Sequence, residues 1–348
     1  MFKVKKLGLC VACMIAVMFL LVVAANAQQP TGPKYKWGLA HHYPEQAEQA
    51  KLTVFLADLI EKFSNGQIEI TIYPAGSRGS TSEVTSAVQK GDLELAYMAP
   101  YPSMNPKYDL ISGLPWIVTT LRQTQELYDV GGFLGNYMIK CGEEINLHTL
   151  THLGTTCHSI ISTRPVRTIA DFKGLKVREF GGKGMFEMWE KVGALPVSMG
   201  SGEVYEALRL KTIDAAVGDP KYAVDKKWTE FAKFFVPTNH EPYATAIVMN
   251  RKLYQSLPAD IRKAIDEASS WHQYAQKGFT RWAYYNGVTE MKKEGVEYIN
   301  LGTKTVQTFV DRVKPESIWE KTVTKFEGKE FFSKLLAERK RVLENPEY

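Results

Sequence analysis

From Leu257 to Gly295 nothing in the sequence forces a helix to stop, and that run constrains the fold more than any other feature. Leu257-Pro258-Ala259-Asp260 is a helix start, with proline tolerated in the first turn and an acid favoured at the positive end of the helix dipole. The next break is Glu294-Gly295, and Gly278 and Gly287 only weaken the middle. About 37 residues at 1.5 Å each reach roughly 55 Å, longer than one domain of ordinary size is wide. Such a helix has to lie across two bodies. With 348 residues, the chain has enough material for both.

Upstream, the apolar pattern switches between periods of two and 3.6. Tyr35–Ala40 reads as a strand, Glu45–Phe63 as a helix, Gln67–Tyr73 as a strand, Ser82–Lys90 as a helix and Leu93–Met98 as a strand. The same grammar returns downstream. Ser159–Thr163, Leu175–Arg178, Ile213–Val217 and Ala244–Asn250 are predicted strands, with helices over Gly184–Val192 and Gly202–Leu210. Strands alternating with helices favour a largely parallel sheet covered on its faces, an α/β architecture in two modules. A short strand at Val296–Ile299 and a charged, mostly helical tail to about Glu344 follow the long helix.

The first 27 residues have a different purpose. Lys3, Lys5 and Lys6 precede an uncharged run from Leu7 to Ala25, and Ala25-Asn26-Ala27 supplies small residues for a peptidase. This is the pattern of a secretory signal cut after Ala27, which places the mature protein in the periplasm. The segment holds three of the 43 basic residues and no acid, so the mature chain has 40 against 38 and is nearly neutral. A nucleic-acid partner is not indicated. Of four cysteines, Cys141 and Cys157 remain, and spacing alone cannot decide whether they pair.

No G-x-S-x-G, H-E-x-x-H, G-x-x-x-x-G-K-[ST] or paired C-x-x-C occurs in the mature chain. The histidines are scattered, and His41 and His42, adjacent on a strand end, point to opposite faces. No metal or cofactor is expected. The absence of a catalytic motif favours a binder over an enzyme.

Residues 164–220 narrow the reading. Arg164-Pro165, then Asp171-x-Lys-Gly-Leu-Lys-Val-Arg178, Gly193-Ala194-x-Pro196, Glu203-x-Tyr205-x-Ala-Leu208 and Ile213-Asp214-Ala215 stand in order. Phe63-Ser-Asn-Gly66, Ile72-Tyr-Pro74 and Gly91-Asp-Leu-Glu-Leu-Ala96 precede them; His240 and Asn250-x-x-x-Tyr254-x-x-Leu257-Pro258 follow. Together these resemble the substrate-binding subunit of tripartite ATP-independent periplasmic (TRAP) transporters, the DctP-like family, over about residues 35–270. The resemblance implies a two-lobed α/β binding protein, hinged like a Venus flytrap and braced by the long helix. It would capture a small organic anion and deliver it to a small and a large membrane permease subunit. The implied division is residues 28–154 with about 243–280 in lobe I, residues 155–242 with about 281–300 in lobe II, and a helical segment over 301–348.

The resemblance also implies site residues. Arg178, last in its strand motif, would form a two-pronged salt bridge with a ligand carboxylate, which its planar fork fits. His158, seven residues before Pro165, stands where some members have a second arginine. Asp219, before Pro220, stands near a ligand-contacting asparagine of the family; an acid there repels an anion unless it bonds a hydroxyl or a cation. Ala216-Val217-Gly218 lacks the acid–Trp pair that binds sodium in some members. Glu83 is a polar contact or an ordinary first-turn acid. His41 or His42, at the first strand's end, faces the cleft. Tyr97, Met98 and Tyr101 follow the third strand as a wall, and His240 matches a family position. Trp116, Trp189, Tyr205 and Trp228 read equally as core, and Glu203 as a capping acid. Two rival readings stay open: an exported enzyme with His41, His158 and His240 gathered in the cleft, and a binding subunit of an ATP-driven or sensor system.

Overall fold

A computed structural model of the chain describes residues 34–345. The expected signal segment and its cleavage point lie outside the described residues. Within them no helix is long and apolar enough to cross a membrane.

The first half follows the apolar periods closely: β1 (Tyr35–Ala40), α1 (Glu48–Phe63), β2 (Ile68–Tyr73), α2 (Thr81–Lys90) and β3 (Leu95–Met98). β1 pairs in parallel with both β2 and β3. α1 buries Leu52, Leu56 and Ile60. It ends at Asn65-Gly66, both with positive φ. Three helices that the periodicity did not announce come next: α3 (Asp109–Ser112), α4 (Leu121–Tyr128) and α5 (Phe133–Glu144).

The second half holds β4 (Leu147–Ser162), β5 (Lys176–Glu179), α6 (Lys183–Lys191), β6 (Leu195–Ser198), α7 (Val204–Arg209), β7 (Ala215–Gly218), α8 (Pro220–Asp225) and β8 (Phe234–Asn250). After α9 (Arg251–Ser256) the long helix α10 runs from Ala259 to Lys293, then β9 (Glu297–Tyr298), α11 (Gly302–Val313) and α12 (Pro315–Glu344).

The expectation of two largely parallel modules needs one correction. The nine strands form a single mixed sheet in the order β2-β1-β3-β8-β4-β7-β5-β6, with β9 on β8. Each lobe keeps its parallel βαβ pairs, but the junction is made by β4 and β8, 16 and 17 residues long and antiparallel. One end of β8 pairs with β3, while the far end of β4 pairs with β7. Their pairing slips between Thr149 and Thr151, His152 and Gly154, and His158 and Ile160, and such bulges bend strands. Only the apolar ends of these strands showed the strand period. Their middles carry buried His152, His158, His240 and Glu241, polar residues that break the pattern.

α10 is uninterrupted over 35 residues, about 52 Å. Ile261, Ile265 and Ala268 join the lobe I core with Leu56 and Ile247, and Met291 joins the lobe II core with Trp228 and Ile161. Between these, Gln273 Oε1 accepts from the His152 amide at 2.8 Å, satisfying a backbone group that the β4 bulge frees from the ladder. At Gly287 the helix lies on the backbone of α8, where a Cβ would come within 2.3 Å of the Lys221 nitrogen.

The C-terminal helices also tie the lobes. Phe309, Val313 and Ile318 pack on the lobe II core around Trp189, whereas Trp319, Val323, Leu335 and Val342 pack on a lobe I core around Tyr108. α12 turns back at Gly328, whose φ is 79°. The turn brings the Arg339 guanidinium 4.9 Å from the centre of the Trp319 ring. Cys141 and Cys157 are both buried and unbridged.

Candidate functional site

Ligand sites in sheets of this kind form beyond the carboxyl ends of parallel strands. Here the ends of β1, β3, β5 and β7, the middles of β4 and β8, and the inner face of α10 surround one enclosed space. It holds about 800 Å³ free of protein atoms, but the centre of a water molecule can reach only about 70 Å³ of that, so the slot is narrow. A wider, more exposed opening adjoins it and shares His42, Tyr101, Arg178, Phe180 and Ser201 as walls.

Arg178 lies at the junction of the slot and its opening. Alternation along β5 puts Val177 into the lobe II core and sends Arg178 to the other face. Its Nε donates to the Met199 carbonyl at 3.2 Å and its Nη1 to the Val217 carbonyl at 3.3 Å. Both carbonyls belong to the ends of neighbouring strands. The guanidinium also stands 4.3 Å from the centre of the Phe180 ring. The residue is 3% exposed. An arginine has five N–H donors, so a rigidly held fork keeps donors for a ligand.

The rest of the wall is aromatic. Tyr43, Tyr97, Tyr101, Tyr222, Tyr243 and Tyr284 line the slot with Phe180, Phe279, His42 and His158. Tyr43 and Tyr222 meet edge to face across the cleft at 5.9 Å, and the Tyr43 and Tyr97 hydroxyls are 3.3 Å apart. Burial drives the Tyr43, Tyr97, Tyr222 and Tyr243 hydroxyls upward, so they stay protonated donors.

The slot holds less charge than its residue list suggests. Arg178 is the one Lys or Arg among its lining residues, beside the acids Glu48 and Asp219. Burial lowers His158 to about 4, opposed by Asp219 and Glu179 and reinforced by Arg178. His42 is also pushed down, by burial and by Lys226. Glu241 is raised to about 8 by burial, with Arg178 opposing. Its Oε2 sits 2.8 Å from His158 Nδ1. The pair therefore shares one proton near neutral pH and carries no net charge. Glu179, raised to about 7 by burial and then by Glu241, accepts from the Phe180 and Gly181 amides and the Trp189 indole.

Six of the ten residues picked from the sequence meet around this slot: His42, Tyr97, Tyr101, His158, Arg178 and Asp219. The other four are placed elsewhere. Glu83 closes a capping box with Ser80 at the start of α2, the ordinary first-turn role. Of the adjacent histidines only His42 reaches the slot; His41 is buried and does not line it. Met98 is packed in the lobe I core. His240 is buried 4.8 Å from the Trp189 ring, with Nδ1 on the Thr238 hydroxyl. Asp219 lines the slot but also caps α8, accepting from the Tyr222 amide at 2.9 Å. Trp116, Trp189 and Trp228 are core, and Tyr205 bonds Glu230 at the surface. Glu203 accepts from the Gly200 amide, a capping bond. Among the described residues no cluster of three or more His, Cys, Asp or Glu is placed to hold a metal.

Sequence reasoning missed Tyr43, Glu48, Tyr222, Glu241, Tyr243 and the α10 residues Phe279–Tyr284. Glu241 had a signal: it is the one acid in the run from Phe234 to Asn250. The α10 residues had none, since their side of the helix is chosen by where the lobes meet.

Residues 39–326 match the family model of the bacterial extracellular solute-binding protein, family 7, DctP. The chain belongs to this family. Among relatives, the C4-dicarboxylate-binding periplasmic protein DctP of Rhodobacter capsulatus is 23% identical over 312 residues, 89% of each chain. The sugar acid binding protein DctPAm of Advenella mimigardefordensis, solved with galactonate, has a TM-score of 0.81 at 18% identity, covering 89% of this chain and 99% of its own. A TRAP periplasmic solute binding protein of Desulfovibrio salexigens, solved with orotic acid, has a TM-score of 0.80 at 21% identity, covering 88% and 99%. The two-lobed architecture is thus that of the TRAP solute-binding proteins.

Proposed function

We propose that this chain captures a compact organic monoanion with a flat, partly apolar body, in the periplasm after cleavage at Ala27, and hands it to the small and large subunits of a TRAP permease. The carrying observation is Arg178: a buried guanidinium held by two carbonyls, with spare donors, in a slot otherwise walled by rings. The ligand carboxylate docks on that fork, and charge-assisted bonds of this kind are roughly twice as strong as neutral ones. The tyrosine hydroxyls bond its oxygens or hydroxyl groups, and the rings cover its faces. A second carboxylate has no second cation in the slot and meets Asp219 or Glu48 instead, which disfavours dicarboxylates such as those the Rhodobacter relative is named for.

The lobe division set out from the sequence places the hinge where β4 and β8 slip in register, and closure about it brings Tyr43 and His42 of lobe I onto Tyr222 of lobe II. Hinge closure around a ligand is the motion of periplasmic binding proteins, and the closed form is what a permease distinguishes. The enzyme reading has less support, since of His41, His158 and His240 only His158 lines the slot. The test is a thermal-shift screen of protein unfolded and refolded to strip carried-over ligand, against aromatic and aliphatic monocarboxylates, sugar acids and dicarboxylates, with calorimetry on the hits. Stabilisation by flat monocarboxylates above the other classes is expected. A preference for dicarboxylates refutes the ligand class, and no acid binding at all refutes the function.

A further inference from the structure

The outer face of α10 carries large rings that stay largely exposed, although Trp282 meets Phe279 at 5.4 Å and Tyr285 meets Tyr284 at 5.6 Å along the same helix. Trp271, Tyr274, Trp282 and Tyr285 are 59, 80, 51 and 64% exposed, although aromatic side chains as a class bury most of their area. They stand seven and four residues before Gly278 and four and seven after it. At 3.6 residues per turn these positions form one stripe, and its spacing is the same read in either direction. The opposite face of the helix is occupied, with Phe279, Thr280, Ala283 and Tyr284 on the slot.

Gly278, at the centre, is the second observation. Glycine weakens a helix interior, and Gly287 in the same helix is explained by its contact with α8. A Cβ at Gly278 would meet nothing within 4 Å, so no contact inside the protomer requires a glycine there. An exposed glycine in mid-helix does permit another backbone to approach closely.

We propose that this stripe is a self-association surface, on which a second copy of the chain docks with its α10 antiparallel and crossing at Gly278. A two-fold axis there is isologous. It sets Trp271 against Tyr285 of the second copy and Tyr274 against Trp282 of the second copy, each pair occurring twice. A membrane surface or an unrelated protein imposes no such mirrored spacing. The neighbouring basic groups are also turned onto their own protomer, Lys277 toward Asp129 at 3.3 Å and Arg281 onto Gln125, rather than outward toward anionic lipid. At these exposures each ring offers on the order of 100 Å² or more, so two copies cover on the order of 1,000 Å² in all, the lower bound of a specific interface. A reversible dimer follows, with both slots facing away from the contact.

Sedimentation velocity on the chain from Gln28, over roughly 1–100 μM, tests this. The wild type is expected to move from one protomer to two across that range. The double variant Tyr274→Glu/Trp282→Glu, on exposed positions and checked for fold by circular dichroism, is expected to dimerise at least thirtyfold more weakly. A short bismaleimide is expected to link Gly278→Cys into dimers, because the two positions meet on the axis, and to leave Glu267→Cys unlinked. A wild type that stays monomeric throughout, a dimer indifferent to the double variant, or equal linking at Glu267→Cys overturns the proposal.

Discussion

Glu241→Gln separates the chemistry of the slot from its shape. In the wild type Glu241 is buried beside Arg178 and titrates at about 8. Below that pH its carboxyl is neutral and Arg178 is free to attract an anion; above it, a new carboxylate competes for the same guanidinium and repels the ligand. At pH 7 about a tenth of the residue is ionised, at pH 9 about nine-tenths. If the ligand binds the neutral form alone, affinity falls about tenfold from pH 7 to pH 9. Glutamine keeps the volume and a hydrogen bond to His158 but never ionises. The variant also removes the charge that raises Glu179, moving that titration below the tested range. Calorimetry at pH 7, 8 and 9, with a ligand acid ionised throughout, should give a falling wild-type curve and a flat variant one. A flat wild-type curve, or an equal slope in both proteins, refutes the assignment of a neutral Glu241 next to Arg178.

Three further outcomes are expected. Arg178→Ala removes two charge-assisted bonds of roughly 1.5–3 kcal/mol each, so calorimetry should show ligand affinity at least a hundredfold weaker with circular dichroism unchanged; affinity within threefold of wild type would sink the role given to Arg178. Gly287→Ala drives a methyl into the Lys221 backbone at 2.3 Å, and overpacking against backbone costs roughly 1–3 kcal/mol; a melting temperature equal to wild type would contradict the α10–α8 contact. Ligand-free protein should also lose stability at both pH extremes. His41, His152, His158 and His272 are lowered by burial to about 4. The unfolded chain binds their protons first, and stability falls as pH drops from 6.5 through 4. Glu179 and Glu241 are raised, so their contribution is lost as pH climbs through 7 and 8. A melting temperature flat from pH 4.5 to 9 would rule out these neutral buried groups.

Much of this molecule could be read locally. β1, α1, β2, α2 and β3 appeared within three residues of their predicted ends, because α1, β2 and α2 show the period of a partly buried element and β1 and β3 are short apolar runs between helices. α10 was legible for a different reason: nothing between Ala259 and Lys293 forces a helix to stop. Arg178 was legible through the strand motif that ends on it. The long strands were half visible, since only their ends lie in apolar cores, and their middles carry His158 to the slot with Glu241 buried against it. Glu83 and His240 misled because their residue types suit a ligand as well as they suit a cap or a packed ring.

Arg178 was singled out by the resemblance its motif carries, whereas the sequence by itself determined the elements of the first half, the long helix and the need for two bodies under it. It did so because helix period, strand period and capping are set by neighbours within a few residues. Only the tertiary structure decided that the two modules share one sheet, that Glu241 meets His158, and that six tyrosines close on Arg178. Those contacts join residues far apart in the chain, and their charges are set by burial, which no local pattern encodes.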